Sequence, residues 1–161
     1  MNYAVSRECS KYGYEPVMLT DQLCCQAKEA GSFLASIAKT HCKSGKKLAY
    51  IAGGETVVNI TGHGKGGRNQ EIALSAAEGI KGMSNAAIFS IGSDGTDGPT
   101  DAAGGYSDGD TAGVLKNKGI DIFEVLKNND AYNALKLTEG LIITGPTGTN
   151  VNDVSVLLIS G

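Results

Sequence analysis

Val57-Val58-Asn59-Ile60-Thr61, followed by Gly62-His63-Gly64-Lys65-Gly66-Gly67-Arg68-Asn69-Gln70-Glu71, decides how the rest of the chain is read. The first five residues are β-branched and apolar enough for a strand. Beyond the second run, Ile72, Ala73, Ala76, Ala77 and Ile80 recur at helical spacing. The stretch therefore predicts a strand, a glycine loop and a helix from Asn69 to about Ile80. Four of the six residues from Gly62 to Gly67 are glycine. A backbone without side chains can take positive φ and come close to a ligand. Lys65 and Arg68 bring two cations to a helix start, where unpaired N–H groups and the dipole favour an anion. A phosphate or carboxylate on this loop is the functional reading. A tight turn with two solvated basic residues is the plain one.

Upstream, residues 48–52 read as a strand that turns through Gly53-Gly54-Glu55-Thr56 into residues 57–61. So short a connection predicts an antiparallel pair. Asp21 caps a long predicted helix over 22–42, with Leu23, Ala27, Ala30, Leu34, Ile37 and Ala38 on one face. A short strand is expected over 15–20. Asn2 starts a helix that runs to about Lys11 and closes at Gly13. Downstream, residues 86–91 form an apolar run typical of a buried strand. A long polar loop over 93–105 follows, then a helix near 111–118. Short helices over 122–127 and 131–135 flank Asn128-Asn129-Asp130. Strands over 141–143 and 154–159 are joined by a loop over 144–153, read as a hairpin connection. This rhythm predicts an α/β fold, a three-layer α/β/α sandwich with a mixed β-sheet, in a single domain over 1–161.

The whole chain narrows the function classes. Its 161 residues suffice for one real core. A net charge of −3 argues against general nucleic-acid binding. No long apolar run predicts a membrane span, and the first residues do not read as a signal peptide. Cys9, Cys24, Cys25 and Cys42 lack metal-ligand spacing and are expected to be reduced and mostly buried. Both features suit a cytoplasmic setting. Glycine, at 23 of 161 residues against a usual share of about 7%, clusters between apolar runs, which points to functional turns.

Three loops carry candidate chemistry. Gly62, Gly64 and Gly67 satisfy the spacing of a dinucleotide fingerprint, but no ribose-binding acid stands about 20 residues on. No Gly-Lys-Ser/Thr follows either, so the loop is not a P-loop. The second loop places Asp94, Asp97 and Asp101 within eight residues. Such carboxylates can hold Mg²⁺ or accept a hydroxyl proton, or simply form turns. The third loop, Thr144-Gly145-Pro146-Thr147-Gly148-Thr149-Asn150-Val151-Asn152-Asp153, offers a hydroxyl- and amide-rich wall to a polar ligand. His63 is read as an exposed loop residue. His41 complements a helix C-terminus.

Together with Ala52-Gly53-Gly54-Glu55-Thr56, these loops resemble the MOFRL domain of type-2 glycerate kinases, some members of which are called hydroxypyruvate reductases. The motifs Gly64–Glu71, Gly95–Gly104 and Thr144–Asp153 occur in the family's order. The resemblance runs over 47–161, with 1–46 as a helix–strand–helix lead-in. It implies phosphate transfer from ATP to the 2-hydroxyl of glycerate, or a similar small hydroxy acid, with Mg²⁺. It also implies that Arg68 is the active-site arginine, whose planar fork suits a carboxylate or phosphate. Asp94, Asp97 and Asp101 then face the metal or the reacting hydroxyl. We assign Arg68 and Asp97 as catalytic, and Asp94 and Asp101 as metal ligands. Gly64, Lys65, Gly66, Gly67, Asn69, Thr147 and Asn150 are assigned to the substrate or anion. The family's lysine-bearing, Rossmann-like N-terminal domain has no counterpart here. The chain is therefore expected to be inactive alone, as the C-terminal substrate-side half of a glycerate 2-kinase. The alternative is a stand-alone, non-catalytic module for small anions. The three loops are expected to line one cleft.

Overall fold

Helix α1 (Asn2–Lys11) leads into strand β1 (Glu15–Leu23), helix α2 (Ala27–His41) and strand β2 (Leu48–Gly54). The computed structural model describes all residues, 1–161. Helix α3 (Arg68–Ala77), strand β3 (Ala86–Gly92) and strand β4 (Gly104–Asp108) follow. Three short helices, α4 (Thr111–Asn117), α5 (Ile122–Lys127) and α6 (Ala131–Leu137), precede strands β5 (Leu141–Ile142) and β6 (Asp153–Ile159). The six strands form one mixed sheet in the order β1-β2-β6-β3-β4-β5. Only β1 and β2 are parallel; their connection through α2 supplies the crossover that parallel strands require. The other neighbours are antiparallel.

Alternation along the strands assigns the layers. Leu48, Tyr50, Ala86, Ile88, Leu157 and Ile159 pack against α2 and α3 through Ala30, Leu34, Ala38, Ile72 and Ala76. On the opposite face, Ile51, Val154 and Val156 meet Val5 and Cys9 of α1. A second core joins α3 to α4, α5 and α6 through Leu74, Leu115, Ile122 and Leu135. The predicted sandwich and mixed sheet are present, with α1 as the thin outer layer.

Several element expectations fail for identifiable reasons. Residues 57–61 are not a strand: Val57 makes only an isolated bridge to Gln26. Its carbonyl accepts the Ala27 N–H at 2.9 Å, which ties the segment to the start of α2 instead. The expected antiparallel pair therefore does not exist, and β2 lies between β1 and β6. The predicted helix over 22–42 begins only at Ala27, because β1 continues through register irregularities to pair Leu23 with Gly54. Asp21 lies in that strand and is no cap. The expected hairpin from 141–143 to 154–159 is absent too: β5 pairs with β4, while β6 is inserted between β2 and β3. Strand β4 was not predicted: its first two residues fall at the end of the expected polar loop over 93–105, and the rest lie before the expected helix near 111–118. Its face toward α3 is Gly105 and Ser107, with a Ser107 hydroxyl donating to the Ala73 carbonyl at 2.7 Å. The cysteines are free, but Cys24 and Cys25 are exposed and the other two half-buried, not mostly buried as expected.

Candidate functional site

The glycine loop has almost no side chains to hold its shape, so another segment does. The Asn129 side-chain oxygen accepts the N–H groups of Thr61 at 2.7 Å and Gly62 at 2.9 Å. Asn129 also donates to the Asn59 carbonyl at 3.1 Å. The Asp130 carboxylate accepts the Lys65 N–H at 2.8 Å, and the Asn128 carbonyl accepts the Gly64 N–H at 2.8 Å. Asn129 sits at φ 56°, a conformation asparagine tolerates better than most residues. At Gly62 and Gly64 a Cβ would stand 2.4 Å from Asn128 and Asp130, so glycine is what lets the two segments meet.

The start of α3 is closed by Asp97. Its two oxygens accept the N–H groups of Asn69 at 3.1 Å and Gln70 at 2.8 Å. Asn69 continues inward: its side chain donates to Asp97 and accepts the Ser90 hydroxyl at 2.6 Å, which in turn lies 2.8 Å from Ser155. Asp97 is only 3% exposed. Burial pushes its carboxyl up to about 6, against the lowering by the Gln70 and Asn69 N–H groups. Two N–H groups expected to await an external anion are therefore taken by the protein's own carboxylate.

Arg68, the first residue of α3, is a third exposed. Its Nε donates to Asp153 at 2.5 Å and its Nη2 to the same carboxylate at 3.2 Å. Nη2 also lies 3.6 Å from Glu55. The hydrogen bond to Asp153, above all, raises the guanidinium pKa, so the group stays charged. Nη1 makes no hydrogen bond within the protein. Arg68 lines a cleft of about 630 Å³ with Gly62, Gly64, Gly66, Gly67, Asp94, Thr96, Asp97, Gly98 and Pro99; Thr56, Val57, Val58, Ile60 and Asn129 complete the wall.

Of the residues expected in the site, Gly64, Gly66, Gly67, Arg68, Asp94 and Asp97 thus share one cleft. Others do not line it. Lys65 turns its ammonium over the Tyr132 ring, 4.0 Å from the centroid. Asp101 accepts the Tyr132 hydroxyl at 2.8 Å, which holds its carboxyl below the usual range. Asn69 is buried behind the wall. Thr147 and Asn150 are exposed on the third loop. That loop does not line the cleft but is strapped to its rim: the Thr147 hydroxyl donates to the Ser93 carbonyl, and the Val151 N–H to the Ser93 hydroxyl at 2.7 Å. No three His, Cys, Asp or Glu side chains stand together as a metal cage. Of the two carboxylates expected to bind metal, only Asp94 faces the cleft.

Sequence reasoning missed Asp153, Glu55 and Asn129 as parts of the site. Asp153 closes a motif already singled out, and Asn128-Asn129-Asp130 is a turn signal whose partner is remote in sequence.

This chain is similar to known proteins over nearly all of its length. Residues 48–153 match the MOFRL family. The D-glycerate 2-kinase of Thermotoga maritima is 54% identical over 151 residues, which is 91% of this chain and 36% of that protein. The glycerate 2-kinase of Pyrococcus horikoshii is 46% identical, over 98% of this chain and 37% of its own length. The crystal structure of the Thermotoga maritima glycerate kinase superposes with a TM-score of 0.89 at 52% identity, over 97% of this chain and 38% of that one. A Pyrococcus horikoshii protein of known structure reaches 0.95 at 45% identity, over 99% and 38%. The chain thus spans little more than a third of the length of these relatives. No helix is long and apolar enough to cross a membrane. With its match extending from the first residue of β2 to the first of β6, the chain belongs to the MOFRL family.

Proposed function

We propose that this chain is the substrate side of an ATP-dependent glycerate 2-kinase, which converts glycerate and ATP to 2-phosphoglycerate and ADP. The nucleotide side, on this reading, comes from a further, Rossmann-like domain. We take residues 1–161 as one unit, since β1 of the lead-in belongs to the same sheet as the rest. Four unpaired cysteines favour a reducing compartment, the cytoplasm.

The observation that carries the proposal is Arg68, permanently charged, on a cleft that Gly62, Gly64, Gly66, Gly67 and Gly98 also line. In phosphoryl transfer a protein acts mainly by positioning and by stabilising spread negative charge. Arg68 offers Nη1 to a carboxylate or phosphoryl oxygen. Gly64, Gly66 and Gly67 let such a group approach the main chain. Asp97 fixes the start of α3, and with it the root of the Arg68 side chain. Asp94, which lines the cleft, would be the carboxylate that helps hold Mg²⁺, an ion that usually takes one or two protein carboxylates plus waters and phosphate oxygens. A bound Mg²⁺ would neutralise phosphate oxygens beside a cleft that already carries Asp94 and Asp97.

The test is ATP-dependent phosphorylation of glycerate by the chain alone, then with the remaining portion of the Thermotoga maritima relative supplied in trans. We expect no turnover alone, turnover on mixing, and its loss in Arg68→Ala. Turnover that survives Arg68→Ala would overturn the assignment.

A further inference from the structure

We propose that Asp153 is the positioning residue of Arg68, and that it limits what this arginine can offer a ligand. The inference rests on the role given to Arg68 above. Asp153 opens β6, in the middle of the sheet, and is paired across the ladder with Gly54 on one side and Gly92 on the other. A carboxylate at such a position has little freedom: it is 6% exposed. It accepts both Nε and Nη2 of Arg68, a side-on pairing that fixes the plane of the guanidinium as well as its location. Glu55, held at the end of β2, stands 3.6 Å from Nη2 on the same group.

Two consequences follow from this geometry. Arg68 cannot present the Nε edge of its fork to a ligand, because Asp153 occupies it. The ligand meets Nη1, with Nη2 available only as Glu55 moves aside. The site therefore suits a single anionic oxygen, or a carboxylate that approaches end-on. Arg68 also cannot swing freely out of the cleft, since leaving would strand a buried carboxylate. Asp153 thus acts through Arg68, without touching the ligand.

A double-mutant cycle separates this role from a merely structural one. The probe is inorganic phosphate, followed by the amide shifts of Gly64 to Asn69 in the full chain. Asp153→Asn keeps the shape but loses the charge and one acceptor. We expect it to weaken phosphate binding about tenfold, the loss of one charge-assisted contact. Asp153→Glu should recover most of that loss. In an Arg68→Lys background, where side-on pairing is impossible, Asp153→Asn should have no further effect. Additive losses in the cycle would mean that Asp153 acts on the fold and not through Arg68. Unchanged or tighter binding in Asp153→Asn would overturn the proposal, as would a parent chain silent to phosphate at tens of millimolar. The kinase assay stands apart from all of these outcomes: turnover lost in Arg68→Ala alongside an additive cycle would uphold the kinase reading and sink the positioning role.

Discussion

Asp97 caps helix α3 from a loop 27 residues further on, with Oδ2 accepting the Gln70 N–H at 2.8 Å and Oδ1 that of Asn69 at 3.1 Å. The positive end of the helix is thus balanced by a carboxylate that burial makes reluctant to ionise. Its pKa is raised in the folded state, from 3.8 to about 6. A raised acid binds its proton more tightly when folded, so its contribution to stability grows as pH falls through about 6 and is complete near pH 4. The interval corresponds to about 3 kcal/mol. Denaturant unfolding at a series of pH values should show this gain, and Asp97→Asn should remove it. A parent chain whose stability falls steadily from pH 7 to 5 would contradict the assignment.

Gly67→Ala should damage the same cap. The new Cβ would lie 2.4 Å from the Asp97 carboxylate carbon. Overpacking of this kind costs about 1–3 kcal/mol. Gly66→Ala is the control, because its nearest neighbour would be 3.2 Å away. Thermal unfolding should rank the parent and Gly66→Ala close together, with Gly67→Ala well below.

Arg68→Ala should destabilise the chain as well as abolish anion binding. It leaves Asp153, 6% exposed, without its partner, at a cost of about 1–3 kcal/mol. Adding Asp153→Asn to that variant should return most of the lost stability, since the stranded charge is gone. A double variant no more stable than Arg68→Ala would show that the cost lies elsewhere.

Glu55→Gln should do the opposite at the ligand. Glu55 is half exposed and contacts Arg68 only at 3.6 Å, so its removal should change stability by less than about 1 kcal/mol. Relieving Nη2 of this neighbour should tighten phosphate binding a few-fold in the same amide-shift titration.

Asn129→Ala should free the glycine loop. Four hydrogen bonds of one side chain would be lost, and alanine is less at ease at φ 56°. Hydrogen exchange at Thr61 and Gly62 should quicken markedly, while the amides of β6 keep their protection. Equal quickening in both places would mean global loosening.

What could be read in the chain followed from local chemistry. Helices α3 to α6 obey their own periodicity, and the runs at β2, β3 and β6 are apolar enough to be recognised without neighbours. The glycines and Arg68 stood out as a loop before a helix, and most of them do line one cleft. What failed depends on partners far away. Residues 57–61 look like a strand, yet no edge receives them; Asn129 and the start of α2 take their hydrogen bonds. Gly104-Gly105 looks like loop, yet β4 lacks side-chain bulk there for a reason: α3 lies close above it, and a Cβ on Gly105 would stand 3.1 Å from that of Ala73. A ligand's anion was expected at the helix start, but Asp97 holds the N–H groups of Asn69 and Gln70 there, a capping contact across 27 residues that only the folded chain reveals.

Strand β6 is the sole link between the β1–β2 half of the sheet and the β3–β4–β5 half. Everything else in the sheet precedes it in sequence. Neither half can satisfy its inner edge until this segment arrives, so during synthesis both wait with open hydrogen-bonding rows. The same arrangement makes the molecule a natural split reporter: a chain truncated before Asp153 and a peptide carrying Asp153–Ile159 should reassemble by strand insertion. Because the peptide also brings Asp153, reassembly would restore the partner of Arg68 in the same event, linking completion of the sheet to completion of the site.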